Sequence, residues 1–163
     1  TDADWAGDPM DRRSTTSFYL CLGSNPINWG AKKQSSVARS TTEAEYKAMA
    51  ITAAELAWLR MLLCDLHIVI PTIPTLACDN VSALTLASNL VFHARTKHIE
   101  IDYHFVREQV TRKALAISYL SSTDQVADIF TKGLSSPRFL LLRTKLMLVQ
   151  PPISLQGAHS STL

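Results

Sequence analysis

Cysteine is scarce in this sequence of 163 residues, and the few that occur form no metal-binding or redox pattern. Cys21, Cys64 and Cys78 are an odd number without C-x-x-C spacing, and each lies in an apolar run. The pattern argues against a disulfide framework and against a structural zinc site. We therefore predict three buried, reduced thiols.

A long apolar run and a secretory signal peptide are also absent. No stretch approaches the length of about 18 apolar residues that a membrane-spanning helix needs. We expect an intracellular protein without a membrane partner. The sequence opens directly on Thr1-Asp2-Ala3-Asp4-Trp5 without an initiator methionine, which indicates a piece of a longer polypeptide.

Charge of one sign is not in large excess, because 16 basic and 14 acidic side chains leave a net charge of only +2. This weak basicity permits a polyanionic partner but does not require one. Hydrophobic residues make up 47% of the chain, which is enough for the core of one domain and excludes disorder over most of its length. The sequence shows no internal repeat and no low-complexity segment.

Apolar periodicity and turn signals predict an α/β fold in which a mixed sheet is flanked by helices. A short run at residues 1–5 has the character of the end of a first strand. Further strands are predicted at residues 17–22, 27–31, 75–78 and 116–120, the first two as a hairpin. Helices are predicted at residues 40–64, 82–87, 99–110, 126–130 and 138–149. We expect one domain at residues 1–149 and a flexible tail at residues 150–163.

The longest predicted helix begins with two acidic residues in the segment from Ser40 to Tyr46. Ser40 and Glu43 fit the capping-box pattern, and so do Thr42 and Glu45. A glutamate in a first helical turn ordinarily serves the cap and the helix dipole. The helix alone therefore leaves open whether Glu45 has a metal-binding role.

Four acidic residues lie where separate elements can meet. Asp2 and Asp79 lie at the ends of predicted strands, and Glu45 and Asp128 lie in first helical turns. A cluster of carboxylates is tolerated mainly when a cation neutralises it, and hard oxygen ligands suit Mg²⁺ or Mn²⁺. Each acid also has a structural alternative: Asp79 as a helix cap, Asp2 as a turn residue, and Asp128 as a first-turn acid after a cap at Asp124.

Five segments carry a family resemblance, and they occur in a fixed order. They are Asp2-Ala3-Asp4-Trp5-Ala6-Gly7-Asp8, Ser40-Thr41-Thr42-Glu43-Ala44-Glu45-Tyr46, Cys78-Asp79-Asn80, His93-Ala94-Arg95-Thr96-Lys97-His98-Ile99-Glu100-Ile101-Asp102-Tyr103-His104 and Ala127-Asp128-Ile129-Phe130-Thr131-Lys132. In this order they resemble the ribonuclease H domain that follows the reverse transcriptase in copia-type LTR retrotransposon polyproteins. The resemblance extends from Asp2 to about Val149.

The resemblance implies a ribonuclease H-like fold that hydrolyses the RNA strand of RNA–DNA hybrids with two Mg²⁺ ions, for which Mn²⁺ can substitute. The implied metal ligands and catalytic residues are Asp2 at the end of the first strand, Glu45 in the long helix, Asp79 after the fourth strand and Asp128 in a late helix. The implied partners are the hybrid and the reverse transcriptase domain of the same polyprotein. The implied location is the cytoplasm, in virus-like particles if the element is active.

The same resemblance leaves several assignments open. Asp4 competes with Asp2 as the ligand, and Glu43 competes with Glu45. Asn80 is a candidate contact to a substrate 2′-hydroxyl or a helix cap. Arg95, Lys97 and His98 are candidate phosphate contacts, or part of a solvated basic face.

Two features depart from the wider ribonuclease H family. The loop at residues 121–124 lacks the histidine that relatives often carry there, and Asp124 is its candidate substitute. The first strand, which lies at the centre of the sheet in that fold, is largely truncated.

A non-catalytic remnant that keeps the fold and at most binds nucleic acid is therefore the main alternative. A related 3′ to 5′ exonuclease or integrase is a further one, and the block from His93 to His104 argues against it.

Overall fold

The computed structural model describes residues 1–88 and 100–146, and within them it confirms the predicted α/β class. Its strands are β1 (Asp2–Asp4), β2 (Thr15–Leu22), β3 (Asn25–Lys33), β4 (Thr75–Cys78) and β5 (Ala116–Tyr119). Its α-helices are α1 (Thr41–Asp65), α2 (Val81–Ser88), α3 (Glu100–Thr111) and α4 (Ser136–Lys145). A 3-10 helix spans Val126–Phe130, where the sequence predicts an α-helix.

The predicted hairpin is confirmed as the antiparallel pair of β2 and β3. Gly23 has a φ of +63° in the turn between them, a conformation that side chains with a Cβ rarely adopt. β1 pairs with the other edge of β2, so that Asp2 lies opposite Ser17 and Asp4 lies opposite Thr15. Asp2 is thus the first residue of β1 as the structure has it.

The single mixed sheet of the prediction is replaced by two sheets in the described residues. One sheet has the order β1-β2-β3, and the other consists of the parallel pair β4-β5. The Thr1 ammonium donates to the Ala77 carbonyl of β4 at 3.0 Å.

Helix α1 begins with the cap that the sequence predicts at Ser40. The Ser40 hydroxyl accepts from the Glu43 amide at 3.1 Å, and the Glu43 carboxylate accepts from the Arg39 amide at 2.9 Å. The helix is therefore capped by Ser40, and not by Thr42, and begins at Thr41. Its first ten residues are mostly buried, whereas Trp58 near its carboxyl end is exposed.

The main core packs α1 against β4, α2 and α3. Fully buried side chains at its centre are Tyr46, Met49, Cys78, Tyr103 and Val106. The rings of Tyr46 and Tyr103 stack with their centroids 6.1 Å apart. Because these residues join the start of α1 to α3 and β4, the same core fixes the positions of Glu45 and Asp79, the chain neighbours of Tyr46 and Cys78.

Two further predictions need correction. Only Cys78 is a buried thiol, because Cys21 lies near the hairpin tip and Cys64 lies in the exposed half of α1; all three cysteines are free. Helix α4 begins two residues earlier than predicted and is capped at Leu146. The rest of that predicted helix and the predicted tail lie outside the described residues. Within the ranges 1–88 and 100–146, no helix has the length and apolarity needed to cross a membrane.

Candidate active site

One half of the candidate site joins β1 to the 3-10 helix through a lysine. Asp2 and Asp128 are both buried, and the Lys132 ammonium lies 3.0 Å from Asp2 Oδ1 and 2.7 Å from Asp128 Oδ1. The Thr131 hydroxyl donates to Asp2 Oδ2. Arg138 Nη2 lies 3.5 Å from Asp128 Oδ2. Each carboxylate therefore has a cationic neighbour.

The other half consists of residues from α1 and from the end of β4. Ligand atoms of Glu45, Cys78 and Asp79 all lie within 4.8 Å of one another. Glu45 is buried, and its carboxylate accepts a hydrogen bond from the Ala3 amide of β1. Asp79 is partly exposed and accepts from the Ser122 hydroxyl at 2.7 Å. Glu45 thus lies between β1 and Asp79.

The charges of the two halves act on one another, and we call the four acids Asp2, Glu45, Asp79 and Asp128 the acidic cluster. Burial and the neighbouring charges of Asp2 and Asp79 together raise the pKa of Glu45 to about 8. Burial also raises the pKa of Asp128, with additional contributions from Asp2 and Asp79. Four acids from four separate elements therefore share one electrostatic environment.

The donor set of the acidic cluster fits a hard divalent cation. Carboxylate oxygens are the ligands that Mg²⁺ and Mn²⁺ prefer. The cationic side chains that contact the four acids are Lys132 and the more distant Arg138, and the Thr1 ammonium also acts on Asp2, Glu45 and Asp79 through its charge. The Cys78 thiol does not change this fit, because burial raises its pKa to about 12 and keeps it protonated.

The structure separates the competing acids by their contacts. The Asp4 carboxylate accepts a hydrogen bond from the Thr15 amide and so serves the β1–β2 connection. The Glu43 carboxylate serves the helix cap and lies 2.7 Å from the Lys47 ammonium. Asp2 and Glu45, by contrast, belong to the acidic cluster.

Two of the predicted helix caps are formed by the residue that follows the predicted one. Asn80 Oδ1 accepts from the Ala83 amide at 3.0 Å, so Asn80, and not Asp79, caps α2. Gln125 is the cap of the 3-10 helix, and Asp124 instead pairs with Lys145 at the surface. The helix cap predicted for Asp124 is therefore wrong.

The predicted phosphate contacts Arg95, Lys97 and His98 lie outside the described residues. Sequence patterns do not single out Lys132 and Arg138 as cluster residues, although Lys132 is four residues after Asp128 in a quoted motif. The four-residue spacing places Asp128 and Lys132 on one side of a helical turn, and it is the sequence signal from which Lys132 could have been identified.

The raised pKa of Glu45 predicts that the metal-free protein loses stability as the pH rises. The folded state keeps the Glu45 proton up to about pH 8, whereas the unfolded chain releases it near 4.5. Between these values the folded state binds more protons, so a rising pH lowers the free energy of unfolding. Urea denaturation in EDTA at about pH 5 and about pH 8 measures this difference. We expect this difference in the free energy of unfolding to be smaller for a Glu45→Gln variant. An equal difference in both proteins would contradict the raised pKa of Glu45.

Comparisons with known proteins identify relatives of nearly the whole chain. It is 46% identical over 157 residues to the retrovirus-related Pol polyprotein from transposon RE2 of Arabidopsis thaliana, and 47% identical over 154 residues to that from transposon RE1 of the same plant. Identity to the retrovirus-related Pol polyprotein from transposon TNT 1-94 of Nicotiana tabacum is 39% over 143 residues.

The three matches cover 96%, 94% and 88% of this chain, but only 11%, 10% and 11% of the respective relatives. The chain thus spans about a tenth of the length of the curated relatives it matches. No family model matches the sequence, and no solved structure matches it.

Proposed function

Because nearly the whole chain is homologous to a segment of transposon Pol polyproteins, we propose that it is a ribonuclease H domain that hydrolyses the RNA strand of RNA–DNA hybrids. The observation that supports the proposal is the acidic cluster, in which Glu45 and Asp79 lie within ligand distance of each other, while Asp2 and Asp128 share the Lys132 ammonium. The natural partner of the proposed ribonuclease H domain is the reverse transcriptase domain of the same polyprotein, whose product is the hybrid.

Asp2, Glu45, Asp79 and Asp128 would hold two Mg²⁺ ions, with Mn²⁺ as a substitute. When bound, such ions supply Lewis-acid stabilisation for the attacking and leaving oxygens of a phosphodiester. Products of this chemistry carry 5′-phosphate and 3′-hydroxyl ends.

The protein contributes a partly rigid and partly accessible frame. Asp2, Glu45 and Asp128 are buried in core-facing positions, whereas Asp79 and Lys132 are partly exposed. The cluster is therefore reachable from solvent on the Asp79 and Lys132 side, where a phosphodiester can approach. The Ser122 hydroxyl orients Asp79 at this face.

Substrate contacts are proposed for the basic segment that precedes α3. Arg95, Lys97 and His98 would bind backbone phosphates, so binding should weaken steeply with salt. Asn80 already caps α2 through its side-chain oxygen, and its amide nitrogen is the group proposed to contact a 2′-hydroxyl.

The test is Mg²⁺-dependent cleavage of an end-labelled RNA strand in an RNA–DNA hybrid, compared with the same sequence as duplex DNA and as duplex RNA. We expect cleavage of the hybrid alone, its loss in EDTA, and its loss in an Asp79→Asn variant. Binding of the hybrid without cleavage, equal in wild type and variant, would instead support a non-catalytic remnant.

A further inference from the structure

We infer that Lys132 is an internal counter-cation, which holds Asp2 and Asp128 together in the metal-free protein and competes with divalent cations for these two carboxylates. This inference rests on the proposed function, because it concerns the same acidic cluster. It assigns a positioning role to a residue that the proposed chemistry does not otherwise use.

The contacts of Lys132 are those of a bridging cation. Its ammonium lies within hydrogen-bonding distance of one oxygen on each of two buried carboxylates, at 3.0 Å from Asp2 and 2.7 Å from Asp128. These two acids come from positions 126 residues apart in the chain, so the ammonium links β1 to the 3-10 helix. Two carboxylates brought together in this way would repel each other without a positive charge between them.

Other charged groups around the cluster do not bridge Asp2 and Asp128. The Thr1 ammonium acts on Asp2, Glu45 and Asp79 through its charge, but it donates its hydrogen bond to the Ala77 carbonyl. Arg138 reaches only Asp128, at 3.5 Å, and its guanidinium also donates to the carbonyls of Ser122 and Thr123. Arg138 is therefore held in place by the loop that precedes the 3-10 helix. Lys132 is the cation that contacts both Asp2 and Asp128 among the described residues.

The two halves of the cluster consequently differ in their charge balance. Asp2 and Asp128 are partly neutralised by Lys132, whereas no ion pair is formed by Glu45 or Asp79 within residues 1–88 and 100–146. A divalent cation at Glu45 and Asp79 displaces no side-chain cation from an ion pair. A cation that uses Asp2 and Asp128 has to displace the ammonium, so the two halves should differ in affinity.

Lys132 is able to leave without disturbing the core. Its side chain is 40% exposed, while that of Asp2 is fully buried and that of Asp128 is 8% exposed. Rotation of the flexible lysine stem into solvent would vacate the space between carboxylates that stay in place. The displaced ammonium is the part of this contact that moves.

The first test is Mn²⁺ binding to the metal-free protein at low ionic strength, by calorimetry or by electron paramagnetic resonance. We expect Lys132→Met to bind Mn²⁺ at least about tenfold more tightly than wild type, because a neighbouring positive charge has been removed. Lys145→Met, which removes the partner of the exposed Asp124, is the matched control and should bind like wild type. A merely structural role for Lys132 predicts the opposite sign, since its loss would disorder the ligands.

The outcomes separate this inference from the proposed function. Wild-type binding with equal or weaker binding by Lys132→Met overturns the role of Lys132 and leaves the metal site in place. Absence of Mn²⁺ binding from both proteins overturns the two together.

A second measurement uses the wild type and does not depend on the folding of a variant. Lysine acetylation is followed by peptide mass spectrometry with and without saturating Mg²⁺, with Lys145 as the internal reference. We expect faster modification of Lys132 with Mg²⁺, because the displaced amine is no longer held by two carboxylates. An unchanged rate at Lys132 would overturn the inference.

Discussion

Replacing Glu45 with glutamine is expected to lower the rate of hybrid cleavage at least about a thousandfold, whereas Glu43→Gln stays within about threefold of wild type. The two glutamates are two residues apart in the same helical turn, but their contacts differ. Glu45 belongs to the acidic cluster, and glutamine cannot supply the negative charge that a divalent cation requires. Glu43 serves the helix cap and Lys47.

The effects on stability should be reversed. Glu43→Gln removes the carboxylate of a buried ion pair and is expected to lower the free energy of unfolding by about 1.5–3 kcal/mol. Glu45→Gln should cost little near neutral pH without metal, because the raised pKa of Glu45 keeps much of that carboxyl protonated. Cleavage rates and urea denaturation of both variants test this opposite response of activity and stability. Equal loss of activity in the two variants would mean that Glu45 has no special role.

Replacing Tyr103 with alanine is expected to lower the free energy of unfolding by about 3–5 kcal/mol. Tyr103 is fully buried, stacks on Tyr46 and has the Arg107 guanidinium 5.9 Å from its ring centroid. Removing the ring leaves a cavity where α3 packs on the first half of α1. The Tyr46 hydroxyl donates to the Tyr103 backbone carbonyl, which the substitution retains. That bond does not fill the cavity left by the ring.

Tyr119→Ala is the matched control for this substitution, because Tyr119 is 59% exposed in β5. It should change the free energy of unfolding by no more than about 0.5 kcal/mol. Both values come from urea denaturation followed by circular dichroism. A loss of less than 1 kcal/mol for Tyr103→Ala, or similar losses for the two variants, would contradict the position of the core between α1 and α3.

The local elements were predictable because their signals are local. Ser40 and Glu43 mark the start of α1, and a sequence without Gly or Pro continues the helix to its end. Turn residues between two β-forming runs predict the β2–β3 hairpin, and the apolar run before Asp79 predicts β4 followed by α2. These features depend on residues that are near one another in the chain.

The division of the sheet and the cation contacts were not predictable in the same way. Which strands pair with one another depends on contacts between residues far apart in the chain, such as that of Thr1 with Ala77, which no periodicity predicts. The bridge from Lys132 to Asp2 joins residues 130 apart in the chain, so it exists only once the tertiary fold brings them together. Asp124 carries a capping signal, but its ion pair with Lys145 and the cap at Gln125 are decided by α4 packing nearby.

The most direct test of the central proposal is the Mg²⁺-dependent rate of RNA-strand cleavage in an RNA–DNA hybrid, measured side by side for the wild type and for Asp2→Asn, Glu45→Gln, Asp79→Asn and Asp128→Asn. Asp65→Asn, at the exposed end of α1, is the matched control. The account predicts that wild type and Asp65→Asn cleave the hybrid and that all four cluster variants do not. A wild type that is as inert as the four variants, or a cluster variant that cleaves at the wild-type rate, would contradict it.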